Sequence, residues 1–112
     1  MERFVVCYLA IQGFHRWPQA PEELNYLAQR HRHIFEIRVR FMVFNNDRQI
    51  ELIHRQDQIQ RYLLDTYGNK DGACEFGDMA CEHIADELMD VFKADAVEVL
   101  EDGYGGACLV RR

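Results

Sequence analysis

Five histidines carry the first hint of chemistry in this chain: His15, His31, His33, His54 and His83. His31 and His33 stand two apart at the mouth of a run that alternates apolar and polar residues. On a β-strand, residues i and i+2 point to the same face, so two imidazoles can hold one metal ion from one side. His15 lies just past the first apolar run, and hairpin-like pairing of the two runs would bring it alongside. Three neutral imidazoles leave a fourth position for water or substrate, the arrangement of an open, catalytic zinc site and not of a closed structural one. The competing reading is three solvent-facing loop histidines beside Arg30 and Arg32. His54 and His83 lack partners at ligand spacing and read as surface or helix-face residues. Cys7, Cys74, Cys81 and Cys108 include no pair at Cys-x-x-Cys spacing, which argues against a zinc knuckle or a thioredoxin-type motif. In a reducing cytoplasm they read as small, mostly buried hydrophobes.

The elements that must position these side chains follow from periodicity. Phe4 to Ile11 reads as a first strand, apolar on both faces as a buried strand can be, and ended by Gly13. Pro18 and Pro21 mark a loop, and Glu22 to Arg30 forms a short helix or an irregular excursion. The clearest strand is His33 to Phe44, with Phe35, Ile37, Val39, Phe41 and Val43 on one face and Glu36, Arg38 and Arg40 on the other. Asn45–Asn46–Asp47 signals a turn, after which Gln49 to Ile53 can continue as strand. Asp57 to Tyr67 reads as a helix whose Ile59, Tyr62 and Leu63 share a face, stopped at Gly68–Asn69. Lys70 to Gly77 reads as a loop. Asp78 is a fitting N-cap for a second helix reaching about Lys93, with an apolar stripe of Cys81, Ile84, Ala85, Leu88, Val91 and Phe92. Glu82, Asp86, Glu87 and Asp90 form its solvated face. Val97 to Glu101 is a third strand, Gly103 to Gly106 a flexible turn and Ala107 to Val110 a fourth strand. The expected class is α+β in the order ββααββ, an antiparallel sheet covered on one face by two helices.

A chain of 112 residues fits one domain, 1–112. With 48% hydrophobic and 29% charged residues it is not composed like a disordered chain, and 7 Gly and 2 Pro exclude a collagen-like or low-complexity one. No apolar run approaches the roughly 20 residues of a membrane span. Met1–Glu2–Arg3 leads straight into Phe4–Val5–Val6 without the basic region and cleavage site of a signal peptide, so a cytoplasmic protein is expected. A net charge of −6 weighs against a general nucleic-acid binder. Neither nucleic acid nor membrane is an expected partner.

At its histidines the sequence resembles the 6-pyruvoyl-tetrahydropterin synthase family, which includes the bacterial 6-carboxy-tetrahydropterin synthases of queuosine biosynthesis. The family's first strand ends in a segment of the type Ala-His-Arg-Leu; here it ends Gly13–Phe14–His15–Arg16–Trp17–Pro18. Its second strand opens with His-Gly-His and an aromatic; here it opens His31–Arg32–His33–Ile34–Phe35. Its Ser/Thr-x-Glu-x-x-Ala pattern is matched by Ala80–Cys81–Glu82–His83–Ile84–Ala85, and its Val-x-Val-x-Glu-Thr by Val97–Glu98–Val99–Leu100–Glu101–Asp102. The resemblance runs in register over nearly the whole chain and implies the tunnelling fold: four strands and two helices per subunit, with sheets joined edge to edge into an oligomeric barrel. A small sheet with open edges needs such pairing or covering. A homo-oligomer built on trimers, up to a hexamer, is the implied assembly, with sites at subunit boundaries.

The resemblance assigns His15, His31 and His33 as zinc ligands and Glu101 as the carboxylate that anchors a pterin or purine-like ring. The departures are specific. The family's catalytic Cys, four residues before the His pair, is Leu27 here, and leucine supplies no thiolate base. The family's Leu-Asp-His motif is matched only by Leu64–Asp65–Thr66. Some relatives use a glutamate for the cysteine, which makes Glu22 or Glu23 the candidate base. The glycine between the paired histidines is Arg32, which would crowd or charge the rim of the site. Two functions are therefore expected to compete: a zinc-dependent lyase acting on a pterin such as dihydroneopterin triphosphate, and a non-catalytic relative that keeps the fold and a ligand site or serves in assembly.

Overall fold

The period-two run centred on Ile37 becomes the middle of a sheet. In a computed structural model covering residues 1–112, strand β2 spans His31–Val43 and buries Phe35, Ile37, Val39, Phe41 and Val43, while Glu36, Arg38 and Arg40 alternate to the other face. β1 (Arg3–His15) pairs antiparallel with β2 from Arg3↔Val43 to His15↔His31. β4 (Ala96–Glu101) pairs with the opposite edge of β2, and β5 (Gly105–Val110) with β4, both antiparallel. A short strand, β3 (Cys74–Gly77), runs parallel to the end of β1, and the sheet order is β3-β1-β2-β4-β5.

Two helices close one face. α1 (Leu52–Tyr67) buries Ile59 and Leu63, one turn apart, and lies over β1 and β3. α2 (Cys81–Phe92) buries Cys81, Ile84, Ala85, Leu88 and Met89 and lies over β4 and β5. Both helices share one core with Cys7, Leu9 and Ile11 of β1 and Val97 and Val99 of β4. The hydroxyls of Tyr62 and Tyr67 both donate to the carboxylate of Glu87, which ties α1 to α2. The class is α+β, as the periodicity predicts. No helix is long and apolar enough to cross a membrane.

Several boundaries depart from the sequence reading, each for a local reason. The sheet has five strands, so the chain order is ββαβαββ and not ββααββ. The extra strand, β3, lies in the segment expected to be loop; four residues are too few to display a period, and its pairing is supplied by β1, some sixty positions earlier. β1 does not end at Gly13 but runs to His15. A Cβ on Gly13 would stand 2.8 Å from the rings of Phe35 and Phe76, so glycine here admits two aromatic rings against the backbone and does not break the strand. β1 is buried on one face only: Phe4, Val6 and Tyr8 are exposed because no helix covers that side. Residues 49–53 do not continue as strand; α1 starts at Leu52, and the Glu51 side chain caps it by accepting from the His54 N–H. Asp78 is not the cap of α2, which starts three residues later; its carboxylate takes a hydrogen bond from Arg16 at 2.9 Å. Within α2, Val91 is exposed and Met89 takes its place in the core. Cys108 is exposed on β5, whereas Cys7, Cys74 and Cys81 are buried as expected.

The connection between β1 and β2 is the excursion that the prolines announce. It holds a kinked 3-10 segment, Glu22–Ala28, and is closed by the Trp17 N–H donating to the Leu27 carbonyl at 2.8 Å. That closure returns the chain to His31 opposite His15.

Candidate metal centre

The hairpin register places the histidines. His15, the last residue of β1, is the direct partner of His31, the first of β2, and His33 lies two residues on, across from Gly13. All three rings emerge on the same face and meet edge to face, with centroids 4.6 Å apart for His15–His31, 4.9 Å for His31–His33 and 5.2 Å for His15–His33. One ligating atom from each falls within 4.8 Å of the others. Phe35, fully buried, floors the cluster with its ring 5.2 Å from His15 and 5.7 Å from His33. The absence of a side chain on Gly13 keeps room for that ring.

Each ring is oriented from behind through Nδ1. His15 Nδ1 donates to the carbonyl of Met79 at 2.8 Å, His31 Nδ1 to the carbonyl of Gln29 at 2.8 Å, and His33 Nδ1 to the Asp102 carboxylate at 2.6 Å. Carbonyl and carboxylate oxygens only accept, so all three bonds require a proton on Nδ1; a neutral ring then keeps its lone pair on Nε2, whereas His15 donates from Nε2 to Glu101 when that ring is protonated. Anchoring through the other ring nitrogen is how metal-binding histidines are held in general. His33 Nε2 is buried and has no hydrogen-bond partner, although Glu101 Oε1 lies 3.5 Å away at ion-pair distance. A buried polar atom without a partner is costly unless something else satisfies it. A divalent cation ligated by Nε2 does so, and three imidazole nitrogens are a donor set that zinc accepts. The residues present therefore fit such an ion.

Glu101 borders the cluster. Its Oε2 is 3.2 Å from His15 Nε2 and accepts from the Cys81 thiol at 3.5 Å. The hydrogen bond from His15, with help from His33 and against the effect of burial, holds the Glu101 carboxyl below the ordinary value. Burial by itself pulls His15 down, but Glu101 and the Met79 carbonyl outweigh it and leave His15 above its ordinary value. Burial first, then the Glu101 charge, pushes the Cys81 thiol up to about 12, so the cysteine on this wall stays protonated and weakly nucleophilic near neutrality.

In front of the cluster opens a cavity of about 490 Å³, walled by His15, His31, Glu101, Trp17, Leu27 and Cys81. The structure thus gathers four of the expected site residues, His15, His31, His33 and Glu101. It does not bring Glu22 or Glu23 to them: both are exposed in the first turn of the 3-10 segment, and neither lines the cavity. Leu27 does line it, so the position at which the resembling family carries its cysteine presents an apolar wall. Arg32 does not crowd the rim, because strand alternation sends it to the opposite face, across from Phe14. His54 is on the first turn of α1, away from the cavity. His83, expected on a helix surface, stands on the cavity rim, where its Nδ1 accepts from the Ala80 N–H at 3.0 Å.

Sequence reasoning missed Asp102 and the Met79 and Gln29 carbonyls. Two are backbone groups with no residue-type signal. Asp102 offered one, an acid directly after Glu101 at the start of a turn. Comparison of this chain with protein-family models and with curated proteins finds no match.

Proposed function

We propose that the protein is a zinc-dependent lyase of the 6-pyruvoyl/6-carboxy-tetrahydropterin synthase type, acting on a pterin such as dihydroneopterin triphosphate. The observation that carries this reading is the three-imidazole cluster with every Nδ1 engaged from behind and a buried, partnerless Nε2 inside it. His15, His31 and His33 would hold the zinc ion, which when bound would supply Lewis acidity toward side-chain oxygens of a ligand. The rest falls to the chain's own residues. Glu101, kept ionised, accepts two parallel N–H donors from the guanidine-like edge of the ring. Trp17 and Leu27 offer the apolar wall that a planar heterocycle needs. The assembly that accompanies this reading is a cytoplasmic homo-oligomer built on trimers, up to a hexamer, with β3 and β5 joining neighbouring sheets into the barrel of the tunnelling fold. Both are short edge strands with free outer sides.

A specific observation favours a second reading, a non-catalytic tunnelling-fold protein that binds a pterin or purine-like ligand or serves in assembly. Leu27 faces the cavity, Cys81 is held as a thiol, and Glu22 and Glu23 are off its wall. Metal content decides the common part: the purified protein should carry stoichiometric zinc that His31→Ala loses, and a zinc-free wild type would sink both readings of the site. Product formation from dihydroneopterin triphosphate decides between them. Turnover abolished in Glu101→Ala selects the lyase, and turnover retained in both Glu22→Ala and Glu23→Ala removes those residues as the base. A zinc-loaded protein that binds a pterin without converting it selects the binding protein.

A further inference from the structure

We infer that Asp102 is the positioning residue of the metal centre, fixing the His33 ring with its proton on Nδ1 and its Nε2 free to ligate. The inference rests on the metal-centre reading above and adds a residue to it.

Asp102 is the first residue beyond β4, in the turn to β5, and its backbone is left-handed with φ 54°. Outside glycine, that conformation is visited mainly by Asn and Asp. Three hydrogen bonds over-determine it. Its N–H donates to the Ile34 carbonyl at 2.8 Å, its Oδ1 accepts from the Ile34 N–H at 2.8 Å, and its Oδ2 accepts from His33 Nδ1 at 2.6 Å. The backbone register of β2 with β4 ends at Phe35↔Glu101. Asp102 extends that register by one residue, substituting its side chain for its own carbonyl, and the freed second oxygen reaches the histidine ring. One carboxylate therefore clamps both the backbone next to His33 and the imidazole itself. At Nδ1, only His33 of the three has a charged acceptor; His15 and His31 lean there on neutral carbonyls. A carboxylate behind an imidazole fixes its tautomer and makes the other nitrogen a stronger ligand. His33 is also the ring whose Nε2 is buried without a partner, so it is the one for which the wrong tautomer matters most.

Asp102→Asn separates this role from a structural one. Asparagine tolerates the left-handed backbone, and its oxygen still accepts from Ile34, but its NH₂ group then faces His33 Nδ1 and forces the proton to Nε2, where it blocks ligation. The metal-free variant is expected to melt close to wild type. Its zinc affinity, read by competition with a chromophoric chelator, is expected to fall about 10–100-fold. Nitrogen NMR of the metal-free proteins at mildly alkaline pH is expected to show His33 in the Nδ1–H form in wild type and the Nε2–H form in the variant. A folded variant with wild-type zinc affinity overturns the inference, as does a wild-type His33 found in the Nε2–H form. If wild type takes up no zinc, the metal reading fails by itself and the tautomer measurement alone decides the role of Asp102. If the Asn variant does not fold, Asp102→Gly, which suits the same backbone, is expected to lose the fixed tautomer in the same assay.

Discussion

His15, His31 and His33 stand as a set because the hairpin register brings their rings together and each is oriented through Nδ1. Burial also keeps three of the four thiols protonated near neutrality. Burial raises Cys7, Cys74 to about 11, and, with Glu101, Cys81 to about 12. Cys108, exposed on β5, has no such shelter. Native alkylation near neutral pH followed by mass spectrometry should modify Cys108 first and leave the other three intact, and rapid labelling of Cys81 would contradict the protonated thiol described above. The character of the cavity wall at Leu27 is also decided at this scale. The side chain gives the cavity a hydrocarbon wall.

The strands and their ends carry the next level. β1 reaches His15 because Gly13 lets Phe35 and Phe76 lie against the backbone. Gly13→Ala should therefore cost about 1–3 kcal/mol by overpacking, read from the urea midpoint, and it should loosen the His15–His31 pairing as well. A substitution without effect would mean the rings relax freely. β3 is held to the 3-10 excursion by Arg30, which makes two hydrogen bonds to Glu75 and stacks over Phe14. Arg30 and then Asn69 hold the Glu75 carboxyl at about 2, well below its ordinary 4.5. A depressed carboxyl stabilises the fold above its ordinary value and loses that contribution as pH falls through the folded value. The stability difference between wild type and Glu75→Gln should therefore be present at neutral pH and shrink between about pH 4.5 and pH 2. It should also be modest, because the pair is half exposed. A difference that grew on acidification would contradict the assignment.

At the scale of the whole molecule the sheet is covered on one side and bare on the other. Phe4, Val6 and Tyr8 are 39–43% exposed on the bare side. Edge strands of four and six residues bound the sheet. The proposed ring assembly predicts a trimer or a multiple of it by light scattering at micromolar concentration. A monomer at that concentration would leave the site within one subunit and remove the proposed barrel.

What the amino-acid pattern determined alone was what is local or periodic: the α+β class, the core face of β2, most of the buried stripe of α2, and the candidacy of His15, His31 and His33, whereas Glu101 was a candidate only through the family resemblance. Tertiary structure decided what depends on a partner distant in sequence. β3 is a strand only because β1 offers it an edge. Gly13 continues a strand because of two rings from elsewhere. Asp102 becomes a histidine partner because a turn lays it against Ile34. Glu22 and Glu23, plausible by residue type, lie off the cavity because the excursion folds back through Trp17 and Leu27. Side-chain periodicity encodes which face turns inward, whereas register and loop closure depend on contacts that no short window of sequence contains.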